Sequence, residues 1–513
     1  MKWNLDNGKT PVKRAVIAAF VAGFLVHHFG LVNALHNIDD IGQFPYGYGT
    51  GIESGRWLLS VLGDFFQSIG GNYNLPYANG LIYLALIAVA AGLVVSLFDV
   101  KEQLHAILIG ILFAVFPSAT SALFFRFTSV YYGISLLLAV LAAWVLEKQK
   151  HGLMISALLI AFSLGIYQGY VPVTISIFVL LLIQRALQGG MDLRALVRRG
   201  VYYCLTLILG LVLYFLFLKL ALAVYGVSLN DYNGMSDMGQ LALKDIPGLV
   251  YEAFYTFCMM PLKDYCGLAN MAPLKAAYLV LAVMTAVLIG YILLKKIKKP
   301  LIAVFTGLKC MVFPIAVNFV VIMSPNAWIY TMMLYAFALV PCVPLIVYEC
   351  LPDMEGIWER GRQVFAKILA VVMAVILFCY AYSANINYTA VYFSNRQVEN
   401  YANSLVTQIR MTEGFDREME WAFIGEVEDP LLWSAWDYEM TYGGTFTTDR
   451  TLENYSRVFW IWHYIGYFPP YADEAEVEAL WELDEVKQMP CWPDEGSIRV
   501  IGENVVIKFQ NLE

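Results

Sequence analysis

Long, almost unbroken apolar stretches fill the first 384 residues, and the short polar segments between them collect lysine and arginine. A helix that crosses a bilayer needs about 20 predominantly apolar residues. Stretches of that kind lie at 15–35, 78–98, 104–124, 127–146, 152–168, 170–184, 201–225, 276–294, 301–323, 327–348 and 365–384. The first follows Lys13 and Arg14 and lacks the small-residue cleavage site of a signal peptide, so it is expected to stay in the membrane. Residues 104–146 and 151–184 each read as one long tilted helix or as a tight pair. Cytoplasmic loops carry an excess of Lys and Arg, and pairs place 18 basic residues on one side, from Lys2 through Arg14, Lys101, Lys148, Arg185 to Arg199, and Lys295 to Lys367. Arg56, Arg126, Lys244, Lys263 and Lys275 fall on the other side. The pattern predicts eleven spans, with the amino terminus inside and outer loops at 36–77 and 226–275.

After residue 384 the periodicity changes. A helix over 388–411 would carry Asn395, Asn400 and Asn403 on a polar face, and Trp421 to Gly425 reads as a short buried strand. The aromatic run Asn454 to Tyr467 is expected to be helical, as is Asp473 to Gln488, whose acids in the first turns suit the helix dipole. Pro490 and Pro493 stop the chain before a hairpin of Ile498 to Ile501 and Val505 to Phe509.

Composition agrees with a membrane protein. Of 513 residues 59% are apolar and 14% charged, against about 45–50% and about 25% in soluble domains. Charge divides the chain: residues 1–384 hold 25 Lys and Arg against 18 Asp and Glu (+7), residues 385–513 hold 8 against 23 (−15), and the two sum to −8. The expectation is a membrane domain at 1–384 and an acidic extracytoplasmic α/β domain at 385–513. Such an acidic surface excludes nucleic acid as partner, because phosphate backbones are bound by Lys and Arg. Cys258 and Cys266 share an outer loop, a pair able to bridge in an oxidising compartment.

Candidate chemistry gathers in the outer loops. His36-Asn37-Ile38-Asp39-Asp40 stands where the first span leaves the membrane. One acidic side chain there can take the proton of an acceptor hydroxyl while its neighbour tunes its pKa; the plainer reading is a solvated helix end. The same loop continues through Gly47, Gly49 and Gly51 to Glu53-Ser-Gly-Arg-Trp57. Arg56 can meet a phosphate bidentately, Trp57 reads as an interfacial anchor, and 58–70 as an amphipathic segment lying in the interface. Arg126, at an outward turn, and Lys219, inside a span, are costly cations that serve an anionic ligand or snorkel to the interface. Tyr167 and Gln168, in the turn of a helical pair, suit sugar stacking and hydrogen bonding, or merely cap the turn. Zinc spacing, a phosphate-binding glycine loop, a serine-hydrolase elbow and a nucleotide-using domain are all missing from the sequence.

Asp39-Asp40, Gly55-Arg56-Trp57 and Tyr167-Gln168 together resemble the Gtr type II glucosyltransferases, which modify bacterial O-antigen and related surface glycans. The Tyr388 to Asn395 helix, Met489-Pro490 with Pro493 and Gly496-Ser497-Ile498, and the terminal Val505 to Lys508 strand extend the resemblance over nearly the whole chain. The resemblance implies a GT-C-like, multi-pass protein of the bacterial cytoplasmic membrane. It would transfer a sugar from a polyprenyl-phosphate carrier to a surface glycan on the outer face. Asp39 or Asp40 would be the base, and Glu53, Arg56, Arg126, Tyr167, Gln168 and Lys219 would contact substrate. Inversion at the anomeric carbon would follow from a single displacement. No cofactor is required on this reading, and divalent metal dependence is left open. The rival class is a transporter or flippase of lipid-linked saccharide, for which a carboxylate pair on an outer loop has no evident use.

Overall fold

The computed structural model describes residues 10–71, 73–230, 244–325, 328–352, 355–427 and 454–511. Among them, ten helices are long and apolar enough to cross a membrane: Pro11–Val32, Pro76–Leu97, Gln103–Leu123, Arg126–Lys148, Gln168–Gln188, Leu193–Tyr225, Ala272–Ile297, Pro300–Val317, Thr331–Tyr348 and Ile357–Met411. An eleventh apolar helix, Gly152–Ile166, is shorter and coincides with the fifth expected span. Each expected apolar stretch therefore holds a helix, and the tight pairs at 104–146 and 151–184 are both present. Part of the 226–275 loop, residues 231–243, lies outside the described residues.

Two compact units emerge. One holds the chain up to Val32 together with Pro45–Asn385. The other holds Asn33–Phe44 and the described residues from Ile386 onward. In the first unit, Pro11–Val32 packs on Pro76–Leu97 and Gln103–Val115, while Arg126–Lys148 packs on Pro76–Leu97 and Gly152–Ile166. Leu193–Tyr225 is capped by Asp192, whose side chain accepts from Ala195 N at 2.7 Å, and it stops at Gly226 in the left-handed region. It turns only Leu196, Tyr203, Thr206, Gly210, Tyr214, Leu218 and Ala221 inward. That helical-period stripe leaves Leu216, Leu220 and Val224 exposed, as suits a helix facing lipid.

Three expected elements differ in detail. The third span breaks between Gln103–Val115 and Pro117–Leu123, because Phe116 precedes a proline and is extended (ψ 142°). The last span and the 388–411 segment form one 55-residue helix, Ile357–Met411, since neither glycine nor proline occurs between Arg362 and Met411 to interrupt it. The acidic run divides into Glu474–Trp481 and Asp484–Lys487. Asp473 caps the first piece, accepting from Glu476 N at 2.8 Å.

The second unit is built in layers on a three-stranded sheet of order β1-β3-β2, with β1 at Glu420–Ile424, β2 at Ile498–Ile501 and β3 at Asn504–Lys508. β3 runs parallel to β1, pairing Val505 with Trp421, and antiparallel to β2. It is buried along its whole length because both faces are covered. Trp421, Val505 and Ile507 face Ala402, Leu405 and Ile409 of the long helix, and Ala422, Ile424 and Val506 face Leu480, Val486 and Met489. This is the strand's period of two turned into a two-sided core.

Candidate functional site

Within the second unit, Asn37 closes the first turn of the short helix Ile38–Gly42, its Oδ1 accepting from Asp40 N at 2.7 Å. Ile41 anchors that turn against Val398 and Trp460. His36 stands just ahead of the extended Asn37 cap, and its Nδ1 lies 2.5 Å from Asp40 Oδ2 with both side chains buried. Asn395 holds the His36 backbone from both sides, accepting from its N–H at 2.8 Å and donating to its carbonyl at 2.9 Å. Phe44, Trp460 and Tyr464 meet the imidazole edge-on.

The two aspartates are thus unequal. Asp40 is fully buried and committed to His36 and the turn. Asp39 is partly exposed, and among the described residues no donor reaches its carboxylate. Burial, and then the neighbouring Asp40 charge, raise the Asp39 carboxyl above its ordinary 3.8. An accessible carboxylate with a raised pKa is equipped to take a proton near neutral pH.

A separate cluster lies in the membrane unit. Ile52–Ser54 forms a single 3-10 turn closed by Gly55 in the left-handed region (φ 76°), which brings Arg56 and Trp57 onto the start of helix Trp57–Ser68. Gln168 Nε2 donates to Ser54 O at 3.2 Å and to Tyr214 Oη at 3.3 Å, and Tyr214 Oη donates to Gly55 O at 3.1 Å. Asn230 N donates to Glu53 O at 3.0 Å. Phe127 packs under Gly49 of the same loop. Arg56 is half-buried: its guanidinium lies 5.2 Å from the centre of the Tyr167 ring and donates to Thr50 Oγ1 at 3.0 Å. Its Nε is buried without a partner, and no carboxylate among the described residues pairs with it. Tyr167 in turn packs on Tyr132 and Tyr170 at 4.6 and 5.0 Å. A loop-held arginine beside polar aromatics has free guanidinium donors of the kind a phosphate accepts from.

Of the expected substrate residues, the structure therefore brings Arg56, Tyr167 and Gln168 together. The Glu53 side chain is exposed on the same turn. Arg126 begins helix Arg126–Lys148 and is buried, donating to Gly30 O at 3.2 Å, so it does not snorkel. Lys219 belongs to neither cluster and sits on the exposed side of its helix beside Leu216 and Leu220. Trp57 is not an interfacial anchor: it is buried against Phe162 and Phe217, and a Cβ on Gly165 would come within 2.5 Å of its ring. Segment 57–68 is amphipathic as expected, burying Leu59, Ser60 and Gly63 and exposing Val61 and Phe65. Tyr214 carries no signal in the sequence, and Asn395, expected on a polar face, is instead buried against the His36 backbone; each partners a residue more than a hundred positions away.

Cys258 and Cys266 are both free thiols. Cys266 is tucked against Ile329 O at 3.4 Å, and burial pushes its thiol up to about 12. Among the described residues no group of three or more His, Cys, Asp or Glu gathers as a metal ion would need.

The family model for glucosyl transferase GtrII matches residues 28–341, more than half of the chain, and that span includes both clusters' loop residues. The chain belongs to the GtrII glucosyltransferase family. No curated protein and no solved structure matches it. Membership makes this a glucosyltransferase whose apolar helices place it in a membrane.

Proposed function

We propose that this GtrII protein transfers glucose from a polyprenyl-phosphate-linked donor to a surface glycan on the outer face of the bacterial cytoplasmic membrane. The family match to residues 28–341 supports the reaction class, and the contrast between Asp39 and Asp40 supports the assignment of the base. Asp39 takes the proton of the acceptor hydroxyl as that oxygen attacks the anomeric carbon. The bond between the anomeric carbon and the phosphate oxygen breaks in the same displacement, and the configuration inverts. Polyprenyl phosphate leaves with the bonding electrons; within the membrane unit, taken by itself, Arg56 offers a guanidinium to a phosphate. Tyr167 and Gln168 keep Arg56 in place through the ring contact and the Ser54 hydrogen bond. Asp40 acts through position, holding His36 and adding the negative charge that raises Asp39. Arg126 adds positive charge in the same unit as Arg56, while Glu53 is exposed for a hydroxyl contact.

The deciding experiment supplies the purified protein, in detergent and in liposomes, with polyprenyl-phosphate-glucose and an acceptor glycan. The product is read by mass spectrometry and its anomeric configuration by NMR. A new inverted glycosidic bond supports the transferase. Movement of the intact lipid-linked sugar across the liposome, with no new bond, establishes the flippase reading instead.

A further inference from the structure

At the lysine-bearing end of helix Ala272–Ile297 a cleft of about 200 Å³ opens against the start of helix Ile357–Met411. Its walls are Val287, Leu288 and Phe365, and its rim is Tyr291, Trp358 and Arg362. The surface around it is apolar and uncovered: Val287, Leu294, Ile357 and Trp358 are each more than half exposed. A spanning helix presents such a surface to lipid.

The rim is cationic. Across residues 291–299 and 355–367 the sequence holds Lys295, Lys296, Lys298, Lys299, Arg360, Arg362 and Lys367 against Glu355 and Glu359. Lys295 Nζ stands 5.9 Å from the centre of the Trp358 ring, and no carboxylate among the described residues pairs with it. Glu359 fixes Arg362, its Oε2 lying 2.7 Å from Nε. Lys296 is used locally, donating to Cys350 O at 2.7 Å. An occupant must therefore be apolar where it enters the cleft and negative where it meets the rim. That combination describes an amphiphile and excludes a polar peptide or a free anion.

We infer that this cleft binds an anionic phospholipid of the surrounding bilayer, with an acyl chain along Val287, Leu288 and Phe365 and the headgroup phosphate at Lys295 and Arg362. Cationic pockets between spanning helices hold such headgroups, each Lys or Arg contributing on the order of fivefold in affinity. Gly361 lines the cleft, and a Cβ there meets nothing within 4 Å, so a larger side chain at this position fills the cleft without disturbing the protein.

The test is native mass spectrometry of the full-length protein in detergent with equimolar phosphatidylglycerol and phosphatidylcholine. The parent is expected to retain phosphatidylglycerol preferentially. Lys295→Gln should lower that retention about fivefold, and Gly361→Leu should remove the preference while the lipid-free melting temperature stays at the parental value. Lys150→Gln, which alters an exposed cation elsewhere, should change nothing. Equal retention of the two lipids by the parent overturns the inference, as does undiminished retention by both cleft variants. Displacement of phosphatidylglycerol by equimolar polyprenyl phosphate also overturns it, assigning the cleft to an isoprenoid lipid.

Discussion

Asp39 and Asp40 are neighbours in sequence with opposite surroundings, and that contrast has a measurable pH consequence. Asp39 is raised above 3.8, chiefly by burial and further by Asp40. Below its raised pKa it carries a proton and cannot act as a base, so transfer should rise with pH through an acid limb lying above the ordinary aspartate range. Asp40→Asn removes the neighbouring charge and should move that limb towards 3.8, as a pH profile of kcat/KM would register. Stability runs the other way with pH. The folded protein holds the Asp39 proton to higher pH than the unfolded chain does, so ionising Asp39 lowers stability between the two pKa values. Asp39→Asn should accordingly melt no lower than the parent at neutral pH. Asp40→Ala, by contrast, deserts buried His36 and should cost about 1–3 kcal/mol in denaturant titration. The sequence displayed the carboxylate pair beside His36. It could not show which acid was buried, because Asn395 and Trp460, which enclose the turn, arrive from the far end of the chain.

Elements were legible where hydrophobic period alone decides them. Each apolar stretch became a helix, and β1 and β3 stand where alternation placed them. What periodicity cannot report is how a loop is gripped. Trp57 reads as a membrane anchor by residue type, yet Gly165 leaves the room that takes its ring into the core. Gly165→Ala should overpack that contact at a cost of about 1–3 kcal/mol, visible as a lowered melting temperature. The Arg56 turn depends likewise on Gln168 and Tyr214. Tyr214→Phe deletes the donor to Gly55 O and the acceptor for Gln168, and a hydrogen bond of this kind contributes about 0.5–1.5 kcal/mol. Steady-state kinetics with varied donor should show a several-fold rise in KM with kcat less affected, separating a positioning role from a folding one.

At the scale of the whole molecule, charge predicts orientation. The basic clusters of residues 1–384 predict that one set of connections faces inward and that the acidic residues 385–513 lie on the opposite side. A tag placed after Glu513 should be cut by external protease in intact protoplasts; protection until lysis would reverse the topology. The sequence divided the chain at residue 384, whereas the compact unit built on the sheet also takes in Asn33–Phe44. Asp39 therefore belongs to the same packed body as Asn395 and Trp460, a long-range partnership that composition has no means of revealing. Transfer of glucose from polyprenyl-phosphate-glucose to acceptor glycan, followed by mass spectrometry, should fall about 10²–10⁴-fold in Asp39→Asn at parental protein level and donor binding. Parental transfer rates in that variant would contradict the assignment of Asp39 as the base.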